Sequence, residues 1–150
     1  MKIQTIAIAG SAGRMGRALI EAVSKSKDFR LKAALEHPDS PFIGKDAGES
    51  MGYASGVRIS PDIDTALRDC DVLVDFTRPE GTLAHLEVCV RKGIRMVIGT
   101  TGMDAAQKTI IANAAQKISL VMAPNMSVGV NLTFKLAEIA ARVLNEGYDV

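Results

Sequence analysis

The chain has 150 residues, which is the length of about one globular domain with a core of its own. Apolar residues make up 47% of it and charged residues 23%, as in soluble globular proteins, and the formal net charge of +1 indicates neither a nucleic-acid nor a membrane partner. No apolar run approaches the roughly 20 residues that a membrane span requires. The N-terminus has no signal-peptide organisation, so we expect a cytoplasmic protein.

Cysteine and histidine are scarce. Cys70 and Cys89 lack metal-ligand spacing, which favours reduced thiols over a disulfide framework. His37 and His85 are too few and too far apart for a zinc site, so we expect no bound metal.

Residues 3–16 have the pattern of a strand, a glycine turn and a helix start. A short apolar run ends abruptly at Gly10, and Gly13 and Gly16 follow at even spacing before a helical pattern begins. A helix N-terminus presents unpaired N–H groups and the positive end of the helix dipole, which suit a phosphate. We therefore predict a dinucleotide-binding unit with the pyrophosphate over residues 13–15.

This fingerprint is incomplete by itself. The generic G-x-G-x-x-G motif requires glycine where this chain has Ser11, so a turn that uses glycines only for close packing is the alternative. Glu36 favours the nucleotide. It lies 36 − 16 = 20 residues after Gly16, at the end of a strand-like run, where an acidic residue binds the adenosine ribose hydroxyls. The alternative for Glu36 is an ordinary solvated carboxylate.

The rest of the chain alternates strand and helix patterns. In chain order we expect strands at 29–36, 57–59, 71–76, 95–98 and 118–122, and helices at 14–23, 79–91, 104–117 and 127–145. The loop 37–56 is long enough to be functional or mobile. Ser60 and Pro61 are predicted to be the N-cap and first residue of a short helix that ends near Asp69.

This alternation predicts an α/β fold with a Rossmann-like, doubly wound parallel sheet. Polar or glycine-rich clusters directly follow five predicted strands, at 10–16, 36–37, 76–79, 99–102 and 123–127. Because parallel strands end at a common edge, we expect the five clusters to meet there, although turns favour the same residue types.

Four motifs carry a resemblance to a known family. They are G-S-A-G-R-M-G at 10–16, D-F-T-R-P-E at 75–80, G-T-T-G at 99–102 and A-P-N-M-S-V-G-V-N at 123–131. In this order and spacing, over nearly all of the chain, they resemble the dihydrodipicolinate reductases. These are also called 4-hydroxy-tetrahydrodipicolinate reductases, of the diaminopimelate route to lysine. The G-x-x-G-R-M-G form is this family's own and accounts for the departure from the generic fingerprint.

The resemblance implies a site for NADH or NADPH. The implied cofactor residues are Gly10, Ser11, Ala12, Gly13, Arg14 and Met15 at the pyrophosphate, Glu36 and His37 at the adenosine ribose, Phe76, Thr77 and Arg78 along the crevice, Gly99, Thr100 and Thr101 near the nicotinamide ribose, and Ala123, Pro124, Asn125 and Met126 at the nicotinamide ring. Thr101 is also placed near a substrate carboxylate.

Simpler roles are open for several of these side chains. Arg78 could form a surface ion pair with Glu80, Thr100 and Thr101 could cap a helix, and Met126 could be a core contact.

The resemblance also implies that the family's chain continues into a second domain. That domain carries the histidine pair and lysine assigned to proton transfer and dicarboxylate binding, and it builds a homotetramer. We therefore expect a nucleotide-binding domain at 1–126 and, at 127–150, a helix that leads into the second domain. Its apolar stripe should be exposed or paired with another copy. No catalytic residue is expected within the 150 residues, which should bind cofactor with little or no turnover.

Two other functions are compatible with the sequence. One is a stand-alone module that senses NAD(P)H without catalysis. The other is the nucleotide domain of a different oxidoreductase, such as a semialdehyde dehydrogenase, which requires a nucleophilic cysteine. Neither Cys70 nor Cys89 follows a crevice strand, so the semialdehyde dehydrogenase is the least favoured of the three functions.

His37 stands where many relatives have an arginine for the NADPH 2′-phosphate. A neutral imidazole is a weaker phosphate partner than a guanidinium, so we predict dual cofactor use or a preference for NADH. The substitution His37→Arg should improve NADPH affinity in a fluorescence titration, and an unchanged affinity would contradict this role for position 37.

Overall fold

The computed structural model describes residues 3–148, in which six parallel strands form one sheet. The strands are β1 (Gln4–Ala9), β2 (Phe29–Leu35), β3 (Ile59–Ser60), β4 (Val72–Asp75), β5 (Arg95–Ile98) and β6 (Leu120–Met122), and the helices are α1 (Arg14–Ser24), α2 (Ile63–Ala66), α3 (Pro79–Lys92), α4 (Ala105–Ala114) and α5 (Val128–Val143). The strand order is β3-β2-β1-β4-β5-β6. The predicted doubly wound α/β fold is confirmed. The ends of the predicted ranges 1–126 and 127–150, at 1–2 and 149–150, lie outside the described residues.

The sheet is covered by a hydrophobic cluster on each side. One cluster packs Leu73, Leu86 and Met96 together with the apolar faces of α3 and α4. The other packs Ile8 of β1 and Ile20 of α1 against the loop that precedes β3. The strand residues of the two clusters alternate along each strand, because successive side chains of a strand point to opposite faces.

The strands end level with one another at their carboxyl edge. The parallel register pairs the last residues of β1 with those of β2 and β4, and it continues through β5 to β6. Gly10, Glu36, Phe76, Gly99 and Ala123 each follow one of these ends directly. The prediction that five clusters share one edge is therefore confirmed. The strand order reverses between β1 and β4, which is where ligands bind in sheets of this kind.

The predicted strand at 57–59 and the helix cap at Ser60 are wrong in detail. Residues 57–59 exchange backbone hydrogen bonds with residues 44–47, and the β3 pairing with β2 is limited to Ile59 and Ser60. Because Ser60 belongs to the strand, the side chain of Asp62 caps the helix instead. Asp62 accepts a hydrogen bond of 3.1 Å from the backbone N–H of Thr65, and the helix stops at Ala66.

Other predicted elements are present, with ends that differ by one to three residues. The helix predicted at 104–117 is α4, which begins after Asp104, and a capping box joins Asp104 to Gln107. The strand predicted at 118–122 is β6, three residues long. The α3 helix ends at Lys92 with Gly93 in the left-handed conformation that favours glycine.

The loop at 37–58 is held by one carboxylate. Asp46 accepts hydrogen bonds from the backbone N–H groups of Gly48, Ser55 and Gly56 and from the Ser55 hydroxyl, all at 2.7 or 2.8 Å. Burial would raise the pKa of Asp46, but these hydrogen bonds lower it to about 2. The loop thus has a defined conformation beside the glycine turn.

Helix α5 carries its apolar stripe on the surface. Ser127 caps it as predicted, with its hydroxyl accepting from the N–H of Val130 at 3.4 Å. Leu132, Leu136 and Ile139 are all exposed. Within residues 3–148, no residue of α5 is buried. The expected exposed stripe is therefore present. No helix among residues 3–148 is long and apolar enough to cross a membrane.

The glycine turn depends on the close approach of two backbone segments. A Cβ atom on Gly16 would lie 2.7 Å from Ser11 Cα and 2.8 Å from the Gly10 carbonyl carbon, and backbone atoms cannot yield as a flexible side chain can. The first turn of α1 therefore rests directly on the turn that precedes it.

The substitution Gly16→Ala should lower the free energy of unfolding by about 3 kcal/mol, because overpacking against backbone forces the turn apart. Urea unfolding followed by circular dichroism measures this loss. Gly129→Ala is the matched control. Its Cβ would meet only Ser127 Oγ at 3.9 Å, in an exposed helix where alanine is the better helix former, so no loss is expected.

Candidate dinucleotide-binding site

The N-terminus of α1 offers two open N–H groups. Within the glycine turn, the N–H of Ser11 donates to the Leu35 carbonyl and that of Gly13 to the Gly10 carbonyl, both at 3.0 Å. By contrast, the N–H groups of Arg14 and Met15 have no partner among residues 3–148, and both residues are exposed. Of the predicted pyrophosphate range 13–15, residues 14 and 15 are the ones with free donors at the positive end of the helix.

Glu36 reaches back over the glycine turn. Its Oε2 accepts from the backbone N–H of Ala12 at 2.9 Å, and its Oε1 accepts from the backbone N–H of His37 at 3.1 Å. The carboxylate is thus fixed between the ends of β1 and β2, whereas the His37 side chain is 73% exposed and faces Asp39. Of this pair, only Glu36 is held toward the turn.

A buried carboxylate network supports the crevice beneath β4 and β5. Asp75, at 0% exposure, accepts through Oδ1 from the N–H and hydroxyl of Thr77 at 2.9 and 2.7 Å, from Thr82 at 3.1 Å and from Thr100 at 3.2 Å. Its Oδ2 lies 2.7 Å from Nδ1 of His85, which donates because a carboxylate only accepts. The Thr100 hydroxyl also accepts from the Thr77 N–H at 2.9 Å. The loops after β4 and β5 are thereby joined.

Asp75 stays ionised in this site. Burial would raise the pKa of its carboxyl, but the hydrogen bond and charge of His85 and the hydrogen bonds from Thr77 more than offset that, and the pKa is lowered. The charged form therefore contributes stability above the ordinary carboxyl pKa and loses it as the pH falls through the lowered value.

The predicted crevice residues meet across the strand ends. A Cβ on Gly10 would lie 3.1 Å from Thr77 Cγ2, and a Cβ on Gly99 would overlap the Phe76 ring. The N–H of Ala123 donates to the Ile98 carbonyl at 3.2 Å, which places it beside Gly99. The structure thus brings the predicted clusters at 10–16, 76–79, 99–102 and 123–127 to the same edge.

Several of the simpler roles do not apply. Arg78 is exposed and forms no ion pair with Glu80 among the described residues. Thr101 is exposed and caps no helix, and Thr100 is 3% exposed with its hydroxyl directed into the Asp75 network. Met126 is 41% exposed and is not a core contact. Pro124 and Asn125 are also exposed, and the Asn125 side chain accepts from the Ser127 N–H at 2.8 Å.

Both cysteines belong to the interior. Burial raises the pKa of Cys70 to about 11 and that of Cys89 to about 12. Such thiols stay protonated and are poor nucleophiles, which removes the group that a semialdehyde dehydrogenase requires. Within residues 3–148, no three side chains of the metal-binding types gather in one place.

Comparison with known proteins identifies the family to which this chain belongs. The family model for dihydrodipicolinate reductase, N-terminus, matches residues 4–126. The chain belongs to the dihydrodipicolinate reductase family. It is 58% identical over 150 residues to the 4-hydroxy-tetrahydrodipicolinate reductase of Nitrosospira multiformis, covering 100% of this chain and 56% of that protein. It is 59% identical over 145 residues to the Nitrosomonas europaea reductase, covering 97% and 54%.

A solved dihydrodipicolinate reductase shares the fold. The dipicolinate-bound enzyme from Paenisporosarcina sp. TG-14 aligns with a TM-score of 0.74 at 31% identity, over 94% of this chain and 54% of that one. The chain thus spans about half the length of the relatives it matches. The family uses NAD(P)H, and the geometry at the carboxyl edge fits a dinucleotide: two open amides, a fixed carboxylate and an exposed crevice.

Sequence reasoning missed the Asp75 network. Asp75 stood only at the start of a motif, and Thr82 and His85 were not considered as partners. A usable signal was present, because Thr82 and His85 lie three residues apart on one face of α3 and an aspartate inside a buried strand needs such donors.

The substitution Asp75→Asn should lower the free energy of unfolding at pH 7 by about 3 kcal/mol, because it leaves buried donors unpaired. The difference in free energy of unfolding between this variant and the unaltered chain should reach its largest value above about pH 4. It should become smaller at lower pH, because the Asp75 carboxyl, whose pKa is lowered in the fold, is then protonated. Urea unfolding at several pH values measures both.

Asp64→Asn is the control for this prediction. Asp64 pairs with Arg91 at 2.6 Å on the surface, so its loss should change stability little. Equal losses for the two variants would show that the Asp75 network contributes nothing beyond an exposed ion pair.

Proposed function

We propose that this chain is the NAD(P)H-binding part of a dihydrodipicolinate reductase. The observation that carries the proposal is the pair of open N–H groups at Arg14 and Met15, at the α1 N-terminus beside the β1–β4 switch point. A pyrophosphate meets donors and a positive helix end there. Membership of the reductase family supports the same assignment.

In this proposal Glu36 receives the adenosine ribose. Its carboxylate is positioned by the Ala12 N–H at 2.9 Å, and its remaining lone pairs can accept from two hydroxyl groups. The nicotinamide half extends past Phe76, Thr77 and Arg78 toward Gly99 and the segment 123–126, of which residues 124–126 are exposed. The Asp75 network holds the two intervening loops at a fixed spacing, so that the nicotinamide surface is organised before the cofactor binds.

The reaction belongs to the longer protein. When bound, the reduced nicotinamide would supply a hydride. We propose that the intact enzyme uses it, with one proton, to reduce 4-hydroxy-tetrahydrodipicolinate to tetrahydrodipicolinate, the 4-hydroxyl group leaving as water. Thr101 is exposed after β5, and we propose that it meets a substrate carboxylate. The relatives are about twice as long as this chain, and we propose that the proton donor and the other dicarboxylate contacts lie in the part that this chain does not align with.

Further properties follow from the same assignment. We propose that residues 1–126 form the nucleotide domain and that 127–150 lead into the substrate domain, which in the intact protein assembles a tetramer in the cytoplasm. On this basis the 150-residue chain binds cofactor without turnover.

Fluorescence titration with NADH tests the proposal directly. The chain should bind NADH saturably, and Glu36→Gln should weaken binding about tenfold, because the ribose hydroxyls lose charged acceptors. Glu21→Gln is the matched control. Glu21 is an exposed α1 residue that pairs with Lys25 at 2.6 Å, and its loss should leave NADH affinity unchanged. An absence of saturable binding, or equal effects of the two substitutions, would overturn the assignment.

A further inference from the structure

The two oxygens of the buried Asp75 carboxylate meet different parts of the structure. Oδ2 lies 2.7 Å from Nδ1 of His85 on α3, whereas Oδ1 accepts hydrogen bonds from Thr77 and Thr100. These two threonines belong to the loops after β4 and β5, which form the surface proposed for the nicotinamide. One carboxylate oxygen therefore faces α3, and the other lies directly behind the wall of the crevice.

The negative end of this network lies on the crevice side whether His85 is neutral or charged. With a neutral imidazole, the pair carries one negative charge. With an imidazolium, the pair is a dipole whose positive end is at Oδ2 and whose negative end is at Oδ1. The Thr77 hydroxyl donates to Oδ1 at 2.7 Å, so its lone pairs lie on the side away from the carboxylate and extend the polarisation by one bond.

This negative charge is shielded from water, unlike the cations that border the crevice. Asp75 is 0% exposed, and among residues 3–148 the only cationic type of side chain within 4.0 Å of its carboxylate is His85. Arg14 and Arg78 are exposed, so water and salt screen their charges. Burial, and then the charge of Asp75, raise the pKa of Cys89 to about 12, and the protonated thiol adds no charge.

The nicotinamide ring differs by one charge between its two oxidation states. The reduced ring is neutral. When the C4–H bond breaks and the hydrogen leaves with the electron pair to form a C–H bond on the substrate, the ring retains one positive charge. A fixed negative charge behind the crevice wall therefore favours the oxidised ring, and it favours the positive charge as it develops during hydride release.

We propose that Asp75 sets the preference of the crevice between the two oxidation states of the nicotinamide, by favouring the positively charged oxidised ring. Asp75 touches neither cofactor nor substrate and acts through Thr77 and Thr100, so it is a positioning residue. The inference rests on the proposed function, because it requires the nicotinamide at the loops after β4 and β5. A carboxylate that only joined these loops would support both oxidation states equally.

Paired titrations with NADH and NAD⁺ test the inference. NADH is followed by its fluorescence, and NAD⁺ by its displacement of NADH. Asp75→Asn should raise the dissociation constant of NAD⁺ about fivefold more than that of NADH, because the variant removes the charge that favours the cationic ring. Loss of loop order alone would weaken both ligands by the same factor, and an unchanged ratio of the two constants would contradict the inference.

Two variants serve as controls for this ratio. Thr82→Val removes a buried donor to Oδ1 of Asp75 but keeps the charge, so it should leave the ratio unchanged even where it weakens binding. Glu80→Gln removes an exposed carboxylate in the first turn of α3, where solvent screens the charge, and should also leave the ratio unchanged. A shift in either control as large as that in Asp75→Asn would overturn the inference.

Salt provides a measurement on the unaltered chain, which does not depend on the folding of a variant. Both ligands share the pyrophosphate and the adenosine, so the salt dependence of those contacts cancels in the ratio. A buried charge is little screened, so the ratio should change by less than about twofold between about 0.05 M and about 0.5 M salt. A larger change would show that exposed charges set the preference, and the inference would be wrong.

NADH binding to the unaltered chain separates this inference from the proposed function. If NADH binds saturably and Glu36→Gln weakens it, the proposed function stands even where Asp75→Asn leaves the ratio unchanged. If the unaltered chain binds neither nucleotide, the proposed function is wrong and the inference falls with it.

Discussion

The crevice depends on one buried negative charge. Asp75 is the last residue of β4, one of the two central strands at the switch point. Its carboxylate accepts hydrogen bonds from the β4 loop, from α3 and from the β5 loop. Burying a carboxylate is unfavourable unless donors surround it, and here the donors are the side chains that set the spacing of the crevice wall. The same hydrogen bonds therefore stabilise the fold and position the surface proposed for the nicotinamide.

The fold was predictable because its signals are local. Apolar runs followed by polar clusters mark strand ends, and parallel strands bring those ends to one edge, which is why the positions of Gly10, Glu36, Phe76, Gly99 and Ala123 could be anticipated. The short helix after β3 could not be placed in this way. Ser60 has the composition of a cap, but its pairing with Leu35 is a long-range contact that places it in a strand instead.

The candidate site shows the same division between local and distant information. Glu36 was found by its spacing from the glycine turn, and the structure holds it against that turn. Arg17 and Lys45 are separated by 45 − 17 = 28 residues, yet both pack on the Phe42 ring. Neighbours in the chain, such as His37, are easy to nominate from sequence, whereas a cavity between a helix and a folded loop requires coordinates.

The exposure of α5 has a thermodynamic consequence. A helix without a packed face is stabilised only by local terms, here the Ser127 cap and the ion pairs that Glu138 forms with Lys135 and Arg142. Such terms hold an isolated helix of 16 residues marginally in water. We therefore expect α5 to add little to the stability of the part of the chain from β1 to β6. Any surface that covers Leu132, Leu136 and Ile139 orders this helix and removes apolar area from water in a single step.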